Sequence, residues 1–289
     1  LVKGSHIVVP RCFEHDHAYI FQNPDKRIIF AIPYERDFTL IGTTDQEIHG
    51  DPRGAAIAED EIAYLCAQAS RYFKRAVTPT DVVWTYAGVR PLLDDASGDP
   101  SAVTRDYLLE PNREGAPLLS VWGGKITTFR KLAEDAATEV GQMLGEARRP
   151  WTEGAFLPGG DLRDWIGPAR RPDTDFERLV QTLGQRHPWL PGPLARRLAR
   201  AYGARVGTLI GQAGSLAGLG TEVAPGLYEA ELRLLQREEW AQDADDVLWR
   251  RSKLGLHYTP EERQRVSDWL QSHPHPENDG TDMKVNPCS

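Results

Sequence analysis

Val121-Trp122-Gly123-Gly124-Lys125-Ile126-Thr127-Thr128-Phe129-Arg130-Lys131-Leu132-Ala133-Glu134 is the stretch from which the fold of this chain reads outward. Leu118, Leu119 and Val121 supply a buried strand before it. Phe129, Leu132, Ala133, Ala136, Ala137, Val140 and Leu144 recur at helical spacing and supply the apolar face of a helix after it. Two adjacent glycines turn the backbone tightly and let another group come close. Thr127 or Thr128 is the natural N-cap, and the free N–H groups of a helix start attract an anion or an electron-rich oxygen. Lys125 adds a full positive charge at the same place. Taken alone, the motif is also compatible with an ordinary strand-to-helix turn carrying a solvated lysine.

Upstream, short segments rich in isoleucine, valine and phenylalanine read as strands at His6–Val9, Ala18–Gln22, Arg27–Tyr34 and Phe38–Thr43, separated by turn chemistry such as Asn23-Pro24-Asp25. Their spacing is too short for parallel crossovers, so the neighbours are antiparallel. Glu59 to Lys74 reads as a helix with Ile62, Leu65, Ala69, Tyr72 and Phe73 on one face. Strands follow at Asp81–Val89, Tyr107–Leu109 and Leu118–Val121. From about Arg148 to Arg171 the composition shifts to proline, glycine and arginine, which marks a linker. Beyond it the pattern is helical near Asp175–Leu183, Pro193–Tyr202, Leu227–Trp240, Ala244–Leu254 and Pro260–Gln271, with Asp243 as an N-cap. The fold class is therefore α+β: a mixed, largely antiparallel sheet with helices over residues 1–147, a linker over 148–171, an all-α domain over 172–272, and a disordered tail over 273–289.

The 289 residues suffice for two domains. A net charge of -8 argues against a general nucleic-acid binder, while leaving room for a local basic pocket. Cys12, Cys66 and Cys288 are few and far apart, which gives no disulfide framework or zinc spacing and suits a reducing, cytoplasmic setting. No apolar run reaches bilayer length and no signal peptide is visible. Leu1 leads almost directly into the apolar His6-Ile7-Val8-Val9-Pro10, so the chain reads as part of something longer.

Four segments combine small residues with charges that packing does not require: Gly42-Thr43-Thr44-Asp45, Tyr86-Ala87-Gly88-Val89-Arg90-Pro91-Leu92, Thr104-Arg105-Asp106-Tyr107, and the Gly123–Thr128 turn. Arg90 is flanked by apolar residues, so its stem packs while its guanidinium looks into a cleft, where a planar fork of donors suits phosphate or carboxylate. Arg105 sits beside Asp106 and is equally readable as an ordinary ion pair. His15-Asp16-His17 has no third ligand nearby, Asp94-Asp95 lies in a polar loop, and the Gly211–Gly220 stretch matches no dinucleotide fingerprint, so no metal is expected.

Together with Lys3-Gly4-Ser5-His6-Ile7-Val8-Val9-Pro10, Ile32-Pro33-Tyr34-Glu35 and, in the helical half, Leu227–Leu232, Glu239-Trp240-Ala241 and Leu248–Leu256, these segments resemble the C-terminal part of FAD-dependent glycerol-3-phosphate dehydrogenase, a member of the D-amino-acid-oxidase-like flavoproteins. The resemblance spans residues 3 to 256. It implies oxidation of sn-glycerol 3-phosphate to dihydroxyacetone phosphate by hydride transfer to FAD, with electrons passing to quinone or oxygen. It implies that Arg90, Arg105 and Lys125 bind substrate, with Arg90 on the phosphate and Lys125 as the catalytic residue beside the reacting carbinol. It further implies that Gly123, Gly124, Lys125, Ile126, Thr127 and Thr128 face the flavin, whose electron-rich N1 edge a lysine and a helix start would stabilise. A homodimer and peripheral membrane association are further implied options. The family's glycine-rich βαβ unit is not in this chain, so the activity is expected of a longer parent protein, with weak or no FAD binding by these residues alone. Two alternatives remain at this level: a D-amino acid or sarcosine oxidase-like flavoenzyme, and a non-catalytic binding or assembly module.

Overall fold

The computed structural model describes residues 1–90, 106–146 and 148–274. Arg105, Asp94-Asp95 and all but the first two residues of the expected tail lie outside them. The chain divides into two compact units, Leu1–Ala155 and Phe156–Ser289.

The first unit is built on β1 (Val2–Pro10), which pairs antiparallel with β4 (Phe38–Gly42) on one side and β6 (Trp84–Arg90) on the other. β2 (Tyr19–Gln22) and β3 (Ile28–Tyr34) extend the sheet beyond β4, and the two-residue β5 (Gln46–Glu47) takes over beside Val2 and Lys3. Because side chains alternate along a strand, this register sorts the sheet into two faces. Phe21, Ile29, Ala31, Ile41, Ile7 and Val9 share one face and pack against Leu65, Cys66 and Ala69 of helix α1 (Glu59–Ser70). The other face carries Gly4, His6, Gly42, Tyr86, Gly88 and Arg90.

Several boundaries differ from the periodicity. β1 runs four residues earlier than His6, because Val2 to Ser5 find partners in β5 and β6. α1 stops at Ser70, whose hydroxyl turns back to the Cys66 carbonyl at 2.7 Å and receives the Val77 N–H at 2.8 Å. Asp81 closes a short 3-10 turn rather than opening the strand, which begins at Trp84.

β7 (Tyr107–Asn112) and β8 (Leu118–Gly123) form a separate hairpin, followed by a 3-10 turn (Ile126–Thr128) and α2 (Phe129–Met143). The expectation of a buried strand here is corrected: Leu118, Val121 and Trp122 are half-exposed, and α2 buries no residue fully. The hairpin packs against α2.

The second unit is mainly helical: α3 (Arg163–Ile166), α4 (Pro172–Arg186), α5 (Gly192–Tyr202), α6 (Val206–Ile210), α7 (Glu229–Glu239) and α8 (Pro260–Ser272). Leu179, Leu183, Leu198, Leu232, Leu235 and Val266 lie in its core, and Ile166 joins them from the proline-rich segment. The unit also carries a short hairpin, β9 (Glu222–Ala224) and β10 (Leu227–Tyr228), where helical spacing alone had been legible. Asp243 accepts the Asp246 N–H at 2.8 Å, as an N-cap does, although residues 246–251 wind as a π-helix. Buried Glu231 takes two bonds from Arg197, at 2.7 and 2.6 Å, and one from the Tyr202 hydroxyl at 2.8 Å, which ties α5 to α7.

Candidate active site

Arg90 is the last residue of β6 and stands opposite Val2, so its side chain lies on the same face as Gly4 and His6. Glycine at position 4 is what makes room for it. A Cβ there would fall 2.7 Å from Arg90 Nη2, 3.0 Å from Nη1 and 2.8 Å from Thr43 Oγ1. Nη1 forms an ion pair with Asp45, and Nη2 reaches toward Thr43 Oγ1 at 3.5 Å. The Arg90 side chain is about one-third exposed, which leaves it accessible to a further anion. Of the four segments singled out in sequence, the structure thus joins two, Gly42–Asp45 and Tyr86–Arg90.

The same face holds a residue that the sequence reading did not single out. His6 stacks on Tyr86, with ring centroids 4.8 Å apart and planes 6° off parallel. A second glycine admits it, since a Cβ at Gly42 would lie 2.2 Å from His6 Cδ2. Its Nδ1 is buried without a hydrogen-bond partner. Burial, and then the nearby Arg90 charge, push its pKa below the ordinary histidine value, with Asp45 opposing them. His6 is accordingly neutral near pH 7. The available signal was the strand period: Gly4 and His6 alternate with Ser5, Ile7 and Val9, which places a lone imidazole and a glycine together on the face away from the core.

The turn between β8 and α2 takes the shape its glycines suggest. Gly123 and Gly124 both adopt positive φ, 68° and 95°, which side chains disfavour. The Lys125 ammonium makes no hydrogen bond or ion pair among the described residues, and its carbonyl accepts the Thr128 N–H at 3.0 Å. The N-cap expectation is corrected in detail. Thr128 precedes α2, but its hydroxyl donates back to the Lys125 carbonyl at 2.9 Å and caps no α2 N–H. Tyr107 lies across the hairpin from Gly123 and donates to Asp135 of α2 at 2.6 Å, which anchors hairpin to helix. Among the described residues no hydrogen bond or ion pair joins this turn to Arg90 or His6.

The arrangement on the sheet offers a fork of donors for an oxyanion beside a neutral imidazole. The turn offers an open backbone and an ammonium that is unpaired among the described residues. No group of three or more metal-ligating side chains gathers among the described residues, and no helix there is long and apolar enough to cross a membrane.

Comparison with known proteins fits this division. Residues 1–130 match the FAD dependent oxidoreductase family, and residues 151–272 match the C-terminal domain of alpha-glycerophosphate oxidase. The chain is similar to glycerol-3-phosphate dehydrogenase of Pseudomonas aeruginosa, 48% identical over 278 residues that make up 95% of this chain and 52% of that protein. It is similar to aerobic glycerol-3-phosphate dehydrogenase of Escherichia coli, at 46% identity over 93% of this chain and 52% of the relative. D-erythritol 1-phosphate dehydrogenase of Brucella abortus is 44% identical over 94% of this chain and 53% of its own length. Among solved structures, the glycerol-3-phosphate dehydrogenase of Bacillus halodurans complexed with FAD superposes with a TM-score of 0.69 at 26% identity, covering 94% of this chain and 56% of that one. The chain spans about half the length of the curated relatives it matches.

Proposed function

We propose that the protein containing this chain oxidises sn-glycerol 3-phosphate to dihydroxyacetone phosphate, a reading supported by the match of residues 1–130 to the FAD dependent oxidoreductase family and of residues 151–272 to the alpha-glycerophosphate oxidase C-terminal domain. The observation that carries the reading is the Arg90 guanidinium lodged over Gly4 on the same sheet face as a neutral His6. Arg90 takes the phosphate through parallel N–H bonds, which a lysine point charge matches less well. Asp45 and Thr43 hold that fork in place before substrate arrives. Oxidising the secondary carbinol requires its hydroxyl to lose a proton, and His6, kept neutral by burial, accepts it at a ring nitrogen. Arg105 serves as the second phosphate ligand.

The Gly123–Thr128 turn fits a flavin. Two positive-φ glycines present bare backbone, and the free Lys125 ammonium supplies positive charge for the electron-rich pyrimidine edge. FAD, when bound, supplies the hydride acceptor. Lys125 also binds the substrate beside that edge. In the same reading the electrons pass on to quinone, with the protein held peripherally at a membrane surface.

The test is an anaerobic titration of the flavin-loaded protein at its relatives' full length, followed by flavin absorbance. Glycerol 3-phosphate bleaches the flavin and yields dihydroxyacetone phosphate in equal amount. No bleaching by glycerol 3-phosphate overturns the proposal, and bleaching by D-erythritol 1-phosphate alone replaces the substrate with the longer polyol phosphate, in line with the Brucella relative.

A further inference from the structure

Behind Arg90, on the core side of β1, lies a buried polar cluster that the proposed chemistry does not use. Lys3 and Glu61 are an ion pair at 2.7 Å, with side chains 9% and 1% exposed. Lys3 Nζ also donates to the Ala56 carbonyl at 2.9 Å. Glu61 Oε2 accepts the Ala58 N–H at 2.8 Å, and its Oε1 accepts the Thr44 hydroxyl at 2.6 Å. Thr44 Oγ1 in turn accepts the Ser5 N–H at 3.0 Å, and the Thr44 N–H donates to the Ser5 carbonyl at 3.3 Å. One hydroxyl therefore bridges a helix-borne carboxylate and the β1 backbone.

Its position in the chain gives that bridge a consequence. Ser5 lies between Gly4, which sits under the Arg90 guanidinium, and His6. Thr44 lies between Thr43 and Asp45, the two residues that hold that guanidinium. Thr43 Oγ1 donates to the Thr44 carbonyl at 2.9 Å, which aims its lone pairs at Arg90 Nη2. At Gly42 β1 loses β4 as a neighbour, and β5 does not begin until Gln46. Across that gap the Ser5–Thr44 bonds link the two segments. The Lys3, Thr44 and Glu61 side-chain polar groups all find partners here, and such a buried network is stiff, because each of them left alone would be a costly unpaired polar group.

We infer that Thr44, braced by Glu61 and Lys3, is a positioning residue that sets the Arg90 fork for the substrate phosphate without touching substrate. The inference rests on the reading of Arg90 as the phosphate ligand. It assigns Thr44 to binding and leaves the proton and hydride steps unaffected, so the expected signature is a split between KM and kcat.

The test uses the flavin-loaded full-length protein with Thr44→Val, which keeps the shape and deletes the hydroxyl, and Thr44→Ser, which restores it. Inorganic phosphate as a competitive inhibitor probes the anion site by itself. Thr44→Val raises the KM for glycerol 3-phosphate and the phosphate inhibition constant together by roughly five- to tenfold, the scale of one well-placed hydrogen bond, while kcat stays within about twofold. Thr44→Ser returns both toward wild type. Thr44→Ala, which adds no bulk, replaces the valine variant if that one yields no flavin-loaded protein. Unchanged KM and phosphate inhibition in the Thr44 variants, or a fall confined to kcat, overturns the positioning role, while competitive inhibition of the wild type by phosphate keeps the Arg90 reading intact. A wild-type protein that turns over glycerol 3-phosphate but is not inhibited by phosphate overturns both.

Discussion

Gly4→Ala is the substitution whose effect the structure sets most sharply. Gly4 lies in β1 without a positive φ, so alanine fits its backbone, and removing a strand glycine even favours folding by about 0.5–1 kcal/mol. The new methyl, however, would stand 2.7 Å from Arg90 Nη2 and 2.8 Å from Thr43 Oγ1. Ordinary contact for such atoms is about 3.5 Å, so the guanidinium must retreat by close to 1 Å. Arg90 is the mobile partner, being the far end of a long, partly exposed side chain. The cost therefore falls on ligand geometry rather than on stability. A misplacement of about 1 Å in a binding group can cost on the order of 100-fold. Steady-state kinetics of the flavin-loaded full-length protein should show kcat/KM for glycerol 3-phosphate reduced roughly 30- to 100-fold, chiefly through KM. Thermal unfolding should stay close to wild type. A folded Gly4→Ala protein with kcat/KM within about threefold of wild type would refute the reasoning, because Arg90 would then be free of the substrate or free of position 4.

Arg90→Lys keeps the charge and removes the fork, and should raise the KM by about tenfold or more with a smaller change in kcat, read from initial rates over a substrate series. Arg197→Met leaves buried Glu231 without its counter-charge and should cost about 3–5 kcal/mol of stability in the second unit, measured by urea unfolding. For Glu61, burial alone would raise the pKa, but the bonds from Lys3, Thr44 and the Ala58 N–H outweigh it and hold the folded-state value below the ordinary 4.5. Its contribution is thus present above pH 4.5 and lost as the pH falls through the lower folded value, so Glu61→Gln should flatten the acid limb of stability against pH in chemical denaturation. An acid limb as steep as wild type would contradict that assignment.

Much of this was legible in the chain itself. The double glycine at 123–124 announced a tight turn because only a residue without Cβ takes two successive positive φ values at low cost. The antiparallel order followed from short connections between β-rich segments. Arg90 stood out because an arginine between apolar neighbours has no packing reason to be there. Four features were not legible in the same way. The exposure of Val121 and Trp122 depends on what covers the hairpin, and periodicity reports which residues share a face, not whether a partner is present. The pairing of Glu61 with Lys3 and with Thr44 joins residues 58 and 17 positions apart, and only the folded register brings them together. His6 was hidden within a run of strand residues, where its role emerges only once Gly42 and Tyr86 are known to flank it. In the second unit, Leu227 and Tyr228 share the apolar character of a helix face, yet the Gly226 turn folds them back on Glu222–Ala224 as a hairpin before α7 starts.

The most direct test of the central claim is a crystal structure of the flavin-loaded full-length protein with glycerol 3-phosphate or an unreactive analogue bound. The expected result is the phosphate in hydrogen-bond contact with the Arg90 guanidinium, the carbinol facing the His6 ring, and the flavin pyrimidine edge against Gly123–Thr128. A phosphate bound away from Arg90, or a flavin that leaves the Gly123–Thr128 turn in solvent, would contradict it.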